Sequence, residues 1–337
     1  MTAVRIAVLG RDPLARALAG LAAGNGNEAA LWPPAESGES VPARLRQTVD
    51  PADAARGAAL IVLGEAGESL DATLEALGGV VEGDQVLLHV LARLLPGEDR
   101  PLRISERIAA KSCLKKLGVL AGPLAPADLA DKRPAAASVA SPFRETLRLA
   151  RRIFETPRLR LFETDDLAGV ELGAALSELF GAAIGVAREL GLGAGPIAFV
   201  VARAVAEMAR LGSLLGARPE TFSGLSGLGR LAAFAADAEA PAVALGRRFA
   251  RPGAVENDFA PTMETLRLAI GFARRRGVAT PILFALDEIV AGRLSPEAAA
   301  DRLLAADAGR ETGLSGGNPP HRSGPLVNVR DAAKRSR

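Results

Sequence analysis

The sequence predicts a doubly wound α/β domain followed by an all-α domain. In the first half, short apolar runs that end on glycine or proline alternate with helix-forming stretches, which is typical of strands and helices along a mostly parallel sheet. Near Asp166 the pattern becomes almost wholly helical. We therefore expect an α/β domain over residues 1–166, a helical domain over residues 167–310 and a disordered basic tail over residues 311–337.

Apolar runs predict the strands of the sheet. The first run, residues 4–9, closes on Gly10 and is followed by a helix-forming stretch with an apolar stripe at Leu14, Leu18 and Leu21. Further strands are expected at residues 28–32, 59–63, 85–90 and 118–120. Val139 and residues 158–162 are expected to add edge strands.

Four long helices are expected in the second half. They span residues 170–190, 196–215, 261–276 and 281–291, and several begin at proline and end at glycine, as helices commonly do. Ser295-Pro296-Glu297 predicts the N-cap, first residue and first-turn acid of a further helix. Because these helices are too apolar to be solvated on all sides, we expect them to pack into a bundle or across a dimer interface.

Composition limits the classes of function. The 337 residues carry a net charge of +2, of which the tail contributes +3, so that the rest of the chain carries −1. A nearly neutral body offers no electrostatic footprint for a nucleic acid, and we expect none as a partner. One cysteine, two distant histidines and apolar runs shorter than the ~18–20 residues that span a bilayer predict no disulfide, metal site or membrane span. The first residues enter a strand without a basic leader, so we expect a cytoplasmic location.

Several motifs follow one another along the helical half and at its border. They are Gly169-Val170-Glu171-Leu172-Gly173, Gly191-Leu192-Gly193, Ala206-Glu207-Met208-Ala209-Arg210-Leu211-Gly212, Pro219-Glu220-Thr221-Phe222 and Gly224-Leu225-Ser226-Gly227-Leu228-Gly229. With them the chain resembles the bacterial NAD(P)-dependent glycerol-3-phosphate dehydrogenase family over roughly residues 1–305. The resemblance implies a Rossmann-type N-terminal domain, an all-α C-terminal domain, and reversible hydride transfer between a nicotinamide and dihydroxyacetone phosphate.

The turn after the first strand departs from the family's dinucleotide motif. That motif, G-x-G-x-x-G, lets the backbone approach the pyrophosphate at a helix N-terminus. Here Gly10 and Ala15 fit the first and third glycine positions, and Asp12 occupies the second. Asp12 before Pro13 is typical of an N-cap, and its carboxylate would satisfy the helix end that otherwise receives phosphate. The resemblance implies NAD or NADP as the cofactor, and Asp12 argues against its binding.

The residues that the resemblance assigns to catalysis are also replaced. The family's lysine, implied to protonate and stabilise the alkoxide formed by hydride transfer, aligns with Ser177, and the asparagine after it aligns with Glu178. The arginine implied to meet the substrate phosphate aligns with Ile197, and a family aspartate aligns with Arg230. We therefore expect no catalytic residue, and we predict that Arg230 and Glu178 form an ion pair, within ~4 Å, that fills the former cleft.

Three residues remain as candidates for ligand binding. Arg203 matches a family arginine and is a candidate substrate-binding residue. Glu264 matches a family glutamate and is, together with Gly10 and Ala15, a candidate cofactor-binding residue. A glutamate at this position is also explained by a role in helix capping or ion pairing. Arg93 lies one position beyond the family's lysine after the fourth strand and is interpreted as a solvated arginine.

Two functions follow from these substitutions. The first is a pseudoenzyme, in which the fold is kept for binding or assembly as a homodimer or as a heterodimer with an active paralogue. The second is an active dehydrogenase that uses rearranged residues, with Arg93, Arg203 or Arg230 as the cation. Binding of a nicotinamide distinguishes the two, because it must precede any redox chemistry.

Overall fold

An eight-stranded sheet organises the first half of the chain. The computed structural model describes residues 3–35, 44–64, 70–251 and 260–305, so the expected tail over residues 311–337 lies outside the described residues. The strands are β1 (Arg5–Leu9), β2 (Glu28–Trp32), β3 (Leu45–Gln47), β4 (Leu60–Leu63), β5 (Val86–His89), β6 (Lys116–Ala121), β7 (Ala135–Ala140) and β8 (Leu159–Thr164). Their order is β3-β2-β1-β4-β5-β6-β7-β8, and only β6 and β7 pair antiparallel.

The predicted doubly wound sheet is confirmed, with two differences. The strand at Val139 was expected at an edge, but β7 lies between β6 and β8. The strand β3 was not predicted, because its three residues are exposed or half-exposed and carry no apolar alternation. The strand order reverses between β1 and β4, and the crevice outside the carboxyl ends of such strands is the usual ligand site of an open α/β sheet.

Helices cover both faces of the sheet. They are α1 (Pro13–Gly24), α2 (Pro51–Ala55), α3 (Leu70–Leu77), α4 (Ile104–Lys111), α5 (Pro126–Ala130) and α6 (Arg144–Phe154). Because side chains alternate along a strand, Ile6 and Val8 pack with α1, α5 and α6, whereas Ala7 and Leu9 pack with α2, α3 and α4. Because both faces of the sheet are buried at β1, its sequence is a continuous apolar run.

The second half of the described chain is helical, as predicted. It contains α7 (Leu167–Glu189), α8 (Ala194–Ser213), α9 (Arg230–Ala236), α10 (Pro241–Phe249), α11 (Ala260–Arg276), α12 (Pro281–Val290) and α13 (Pro296–Ala305). A 3-10 helix (Pro219–Ser223) and a π-helical turn (Leu225–Gly229) lie between α8 and α9. The Ser295 hydroxyl accepts a hydrogen bond from the Ala298 amide at 3.2 Å, which confirms the predicted cap of α13.

Helix α7 forms the core of the helical half. In the part of the chain that the structure describes, it alone has the length and apolarity of a membrane-spanning helix, and 89% of its most apolar window is buried inside the protein. The Asp166 carboxylate caps it, accepting from the Gly169 amide at 3.0 Å and from the Thr221 hydroxyl at 2.6 Å. Burial of this kind is typical of a helix at the centre of a bundle.

Glycines allow α7 and α10 to approach closely. A Cβ atom on Gly185 of α7 would lie 2.0 Å from the Val243 carbonyl oxygen. A Cβ atom on Gly246 of α10 would lie 1.8 Å from the Ala182 carbonyl oxygen. Since backbone atoms cannot yield as a flexible side chain can, the two helices require glycine at both positions.

We expect Gly185→Ala to lower the free energy of unfolding by about 1–3 kcal/mol, because the methyl group forces α7 and α10 apart. The matched control is Gly195→Ala in the first turn of α8, where a Cβ atom meets nothing within 4 Å. That change should be neutral or slightly stabilising. Urea unfolding followed by circular dichroism measures both midpoints, and equal midpoints for the two variants would contradict the packing argument.

Candidate functional site

The turn after β1 lies at the carboxyl edge of the sheet. Gly10 has a φ of +144°, a conformation that favours glycine, and its amide donates to the Trp32 carbonyl at 2.8 Å. The Asp12 carboxylate accepts from the amides of Leu14 at 2.8 Å and Ala15 at 3.1 Å. The predicted N-cap is therefore confirmed. Two of the amides that make a helix N-terminus attractive to an anion are already engaged by the protein's own carboxylate.

The turn after β1 packs against Gly64, the residue that follows β4. A Cβ atom on Gly64 would lie 2.7 Å from the Ala15 Cβ and 3.0 Å from the Asp12 Cβ. Ala15 is fully buried. Glycine at position 64 thus makes room for Ala15, which occupies the third glycine position of the dinucleotide motif. Packing between these two residues explains both of them without a bound cofactor.

Arg16 is a cation at this edge that the sequence analysis missed. It lies on α1, and its guanidinium donates to the carbonyls of Pro33 at 3.4 Å and Pro34 at 3.3 Å. These prolines directly follow β2. A signal was available, because Arg16 stands four residues after the cap and therefore near the first turn of the helix.

Ser177, at the lysine position, is held by a cation from another helix. Its buried hydroxyl donates to the Ala174 carbonyl at 3.0 Å and accepts from Arg230 Nε at 3.0 Å. The Arg230 guanidinium also pairs with the Glu178 carboxylate, which confirms the predicted ion pair. Its remaining amino group donates to the Gly122 carbonyl, just after β6, at 3.1 Å. We call the contacts among Arg230, Ser177, Glu178 and Gly122 the Arg230 junction.

The Arg230 junction fills the space beside Ser177 and offsets its own charge. The side chains of Arg230 and Glu178 are 14% and 24% exposed, so the pair is largely withdrawn from water. The ring of Phe234 packs against the guanidinium, with 5.4 Å between the guanidinium carbon and the ring centroid. An arginine can stabilise negative charge, but it does not release a proton near neutral pH, so it cannot act as the general acid that a lysine can.

The remaining predicted residues lie apart from the junction. Arg203 is exposed on α8, where its guanidinium packs over a phenylalanine ring at 5.6 Å. Glu264 is half-buried on α11, beside Thr265, whose hydroxyl accepts from the Leu94 amide at 3.1 Å. The interpretation of Arg93 as a solvated arginine is wrong, because the side chain is partly buried and its Nε lies in the interior.

A buried polar network between the sheet and α7 was also missed. The Glu171 carboxylate lies 2.9 Å from His89 Nε2 and accepts from the Ser105 amide at 2.8 Å and the Ser105 hydroxyl at 2.6 Å. Glutamate inside an apolar helix is the signal for such a network, since a buried charge must find partners. In a Ser-His-acid relay the histidine lies between the hydroxyl and the carboxylate. Here the Glu171 carboxylate contacts the Ser105 hydroxyl directly, so the three residues are not arranged as such a relay. Among the described residues, no group of three or more His, Cys, Asp or Glu side chains is placed to hold a metal ion.

The carboxyl group of Glu207 has a strongly raised pKa. Burial raises the pKa of Glu207 to about 8, against the opposing hydrogen bonds from the amides of Ile282 at 2.8 Å and Leu283 at 3.3 Å. Shifted groups often mark functional sites. Here, however, both partners are amides in the first turn of α12, where the N-cap residue Thr280 makes no side-chain capping bond. Glu207 therefore caps α12 from within the core.

Comparisons with known proteins find glycerol-3-phosphate dehydrogenases by family profile, by sequence and by structure. The family profile described as NAD-dependent glycerol-3-phosphate dehydrogenase C-terminus matches residues 166–301. The glycerol-3-phosphate dehydrogenase [NAD(P)+] of Streptomyces coelicolor is 33% identical over 279 residues, covering 80% of this chain and 82% of that protein. The Streptomyces griseus protein of the same name is 31% identical and covers 90% of this chain and 97% of its own. The solved glycerol-3-phosphate dehydrogenase from Coxiella burnetii superposes with a TM-score of 0.79 at 23% identity, covering 90% of this chain and 99% of that one, and so shares the fold.

We expect the stability of the protein to contain a fall between about pH 5 and pH 8 that Glu207→Gln removes. The folded-state pKa of Glu207 is raised from 4.5 to about 8, so the folded state holds a proton that the unfolded state releases in this range. Stability from this group is present at low pH and is lost as the pH rises, by on the order of 3–5 kcal/mol in total. Urea unfolding at several pH values measures the difference between the two proteins.

The control for this comparison is Glu220→Gln, which changes an exposed carboxylate by the same atoms. It should keep the pH profile of the unaltered protein. Parallel profiles for Glu207→Gln and the unaltered protein across this range would contradict the assignment.

Proposed function

The chain belongs to the NAD(P)-dependent glycerol-3-phosphate dehydrogenase family, and we propose that it is a divergent homologue that has kept the scaffold for binding or assembly and has lost hydride transfer. The family's reaction is the NAD(P)H-dependent reduction of dihydroxyacetone phosphate to glycerol 3-phosphate. We keep the division at residues 1–166 and 167–310, and the cytoplasmic location, as parts of this proposal.

The demands of carbonyl reduction support the proposal. Hydride addition to a ketone leaves an alkoxide, which needs a proton and a nearby positive charge. At position 177 a serine hydroxyl is already hydrogen-bonded within its own helix and to Arg230. A general acid is worth roughly 10²–10⁴-fold in rate, and neither serine nor arginine supplies a proton near neutral pH.

The observation that carries the proposal is the Arg230 junction. Among the described residues, Arg230 is the cation in contact with Ser177, and it also donates to the Glu178 carboxylate and to the Gly122 carbonyl. A ketone oxygen that reached the guanidinium would have to share it with these acceptors or displace one of them. Displacing Glu178 would leave a partly buried carboxylate beside the forming alkoxide, which opposes the reaction.

The turn after β1 does not fit a dinucleotide bound in the family's manner. The Asp12 carboxylate engages the amides of Leu14 and Ala15 and adds a negative charge where a pyrophosphate would lie. Its Cβ also lies close to the backbone at Gly64, which leaves little room at this point of the turn. We assign no catalytic step to a nicotinamide in this chain.

An active dehydrogenase with rearranged residues is the second candidate. It is favoured by two observations: Arg230 brings a cation within 3.0 Å of the Ser177 hydroxyl, and Arg16 brings another to the prolines after β2. For partners, the first candidate implies a homodimer or a heterodimer with an active paralogue, formed through the apolar helical half.

We expect no rise in melting temperature with NAD+, NADH, NADP+ or NADPH, because Asp12 occupies the anion site. A cofactor at a hundred times its dissociation constant would stabilise the fold by ~2.7 kcal/mol, a shift that differential scanning fluorimetry resolves. We also expect no oxidation of NADH or NADPH with dihydroxyacetone phosphate. A melting shift together with turnover of that substrate would overturn the proposal in favour of the second candidate.

Asp12→Gly tests the cause of the exclusion, and Asp50→Gly is its matched control. Both remove an aspartate N-cap that precedes proline, but Asp50 caps α2, away from the turn after β1. Each should lower the free energy of unfolding by only a few tenths of a kcal/mol, because glycine is itself tolerated at an N-cap. If the Asp12 carboxylate excludes the cofactor, NADH should raise the melting temperature of Asp12→Gly and leave that of Asp50→Gly unchanged.

We expect Ser177→Lys to remain inactive and to be less stable than the unaltered protein. The new ammonium would lie beside the Arg230 guanidinium in a poorly solvated place, and like charges there repel. The double variant Ser177→Lys/Arg230→Asp restores opposite charges and should recover part of the stability without activity. Thermal unfolding and the NADH assay measure both, and a Ser177→Lys variant that turns over dihydroxyacetone phosphate would refute the expectation.

A further inference from the structure

A groove runs between α8 and α9 on the surface of the helical half. It has a volume of about 840 Å³ and is lined by the end of α7, by one face of α8, and by Leu228, Ala232 and Ala235. We call it the α8 groove. Its volume lies in the range of sites that hold small molecules. It is separate from the Arg230 junction, because none of the four residues of that junction lines it.

The walls of the α8 groove are apolar, and part of them is open to water. Ile197, Val201 and Val205 of α8 are spaced four residues apart and therefore share one face of the helix. The two valines are half-buried, and Leu228 opposite them is 38% exposed. A second row on α8 consists of small side chains that keep the groove open: Ala194, Ala198 and Ala202. A concave apolar surface of this kind is typical of a site for an apolar ligand.

Among the described residues, Arg188 is the one charged side chain that lines the α8 groove. It is half-buried at the end of α7, its guanidinium donates to the Ala235 carbonyl, and its Nε is buried without a hydrogen-bond partner. In the described part of the chain Arg188 forms no ion pair, and the adjacent carboxylate of Glu189 pairs with Arg247 and Arg251 instead. A carboxylate from outside the chain would supply the missing counter-charge.

The N-terminus of α8 lies at the same end of the groove as Arg188. The short turn between α7 and α8 brings the two together, and both the N-cap residue Gly193 and Ala194 line the groove. No described side chain caps this end of α8. The amides of a first helical turn and the helix dipole favour an anion, so they add to the positive potential of the guanidinium.

The α8 groove is charged at one end and apolar at the other. From Ala194 at the charged end to Val205 at the far end, α8 covers about 17 Å at the helical rise of 1.5 Å per residue. Helix α9 runs beside α7 in the same direction, from the contact with Ser177 to the contact with Arg188, and so places Leu228 at the far end. A matching ligand has one anionic group and a long apolar chain.

We propose that the α8 groove binds a free long-chain carboxylate, with its headgroup at Arg188 and its alkyl chain along α8 toward Val205. A single charge at one end of the ligand complements the single cation at one end of the groove, and the alkyl chain complements the apolar walls. The inference rests on the proposed binding role of the chain and gives that role a ligand. Its test measures binding alone, so it can fail while the absence of hydride transfer, measured by the NADH assay, still holds.

Isothermal titration calorimetry of the full chain with dodecanoate, kept below its critical micelle concentration, tests the proposal. We expect saturable binding at one site per chain. Decanoate should bind about tenfold more weakly, because it buries two fewer methylenes. Dodecyltrimethylammonium, which carries the same alkyl chain on a cation, should bind at least about tenfold more weakly than dodecanoate. Butanoate, which has the headgroup but a short chain, should give no detectable binding.

Two pairs of variants locate the ligand in the α8 groove. Arg188→Gln should weaken dodecanoate by about tenfold. Arg210→Gln, its matched control, also removes a guanidinium that donates to a backbone carbonyl, and it should leave binding unchanged. Ala202→Trp fills the groove and should abolish binding, whereas Ala298→Trp places the same side chain on an exposed position of α13 and should have no effect. Thermal unfolding without ligand shows that each variant is folded.

Three results would overturn the proposal: equal binding of dodecanoate and dodecyltrimethylammonium, undiminished binding to Arg188→Gln or Ala202→Trp, or no binding of dodecanoate at millimolar concentration. If dodecanoate does not bind but phosphatidylglycerol vesicles do, and Arg188→Gln abolishes the vesicle binding, the groove belongs to a lipid surface. If light scattering shows a dimer that Ala202→Trp dissociates, and dodecanoate does not bind, the groove is occupied by a second copy of the chain. Either outcome replaces the proposed ligand.

Discussion

The burial of α7 on all sides is the constraint on which the rest of the structure depends. Its glycines let α10 pack directly on its backbone, and its apolar residues fill the core of the helical half. A polar residue on such a helix cannot turn to solvent, so it must find a partner inside the protein. Glu171 meets His89 from the sheet and Ser105 from α4, and Ser177 and Glu178 meet Arg230 from α9. Each polar residue on α7 therefore ties it to a neighbouring element.

This constraint explains the chemistry of the former cleft. When lysine is replaced by serine on a buried helix, the volume and the charge that it supplied must be replaced from elsewhere. Arg230 does both, since its guanidinium reaches the serine hydroxyl and the Phe234 ring lies against it. The exchange preserves packing and charge balance, which stability requires. In the function that we propose, it does not preserve an ionisable acid for carbonyl reduction.

The sequence by itself determined the features that depend on neighbours along the chain. Local sequence pattern sufficed to predict the strands β1, β2, β4 and β5 and the long helices α7, α8, α11 and α12. It also sufficed for the Asp12 cap, whose partners are two and three residues away. The Arg230–Glu178 pair was also predicted, but only because the family resemblance set the two positions side by side.

Tertiary structure alone decided the rest. It placed β7 inside the sheet, partly buried Arg93 and joined His89 to a residue 82 positions away. Such contacts depend on the order in which strands pair and on where helices cross, and no single segment of the chain carries that information.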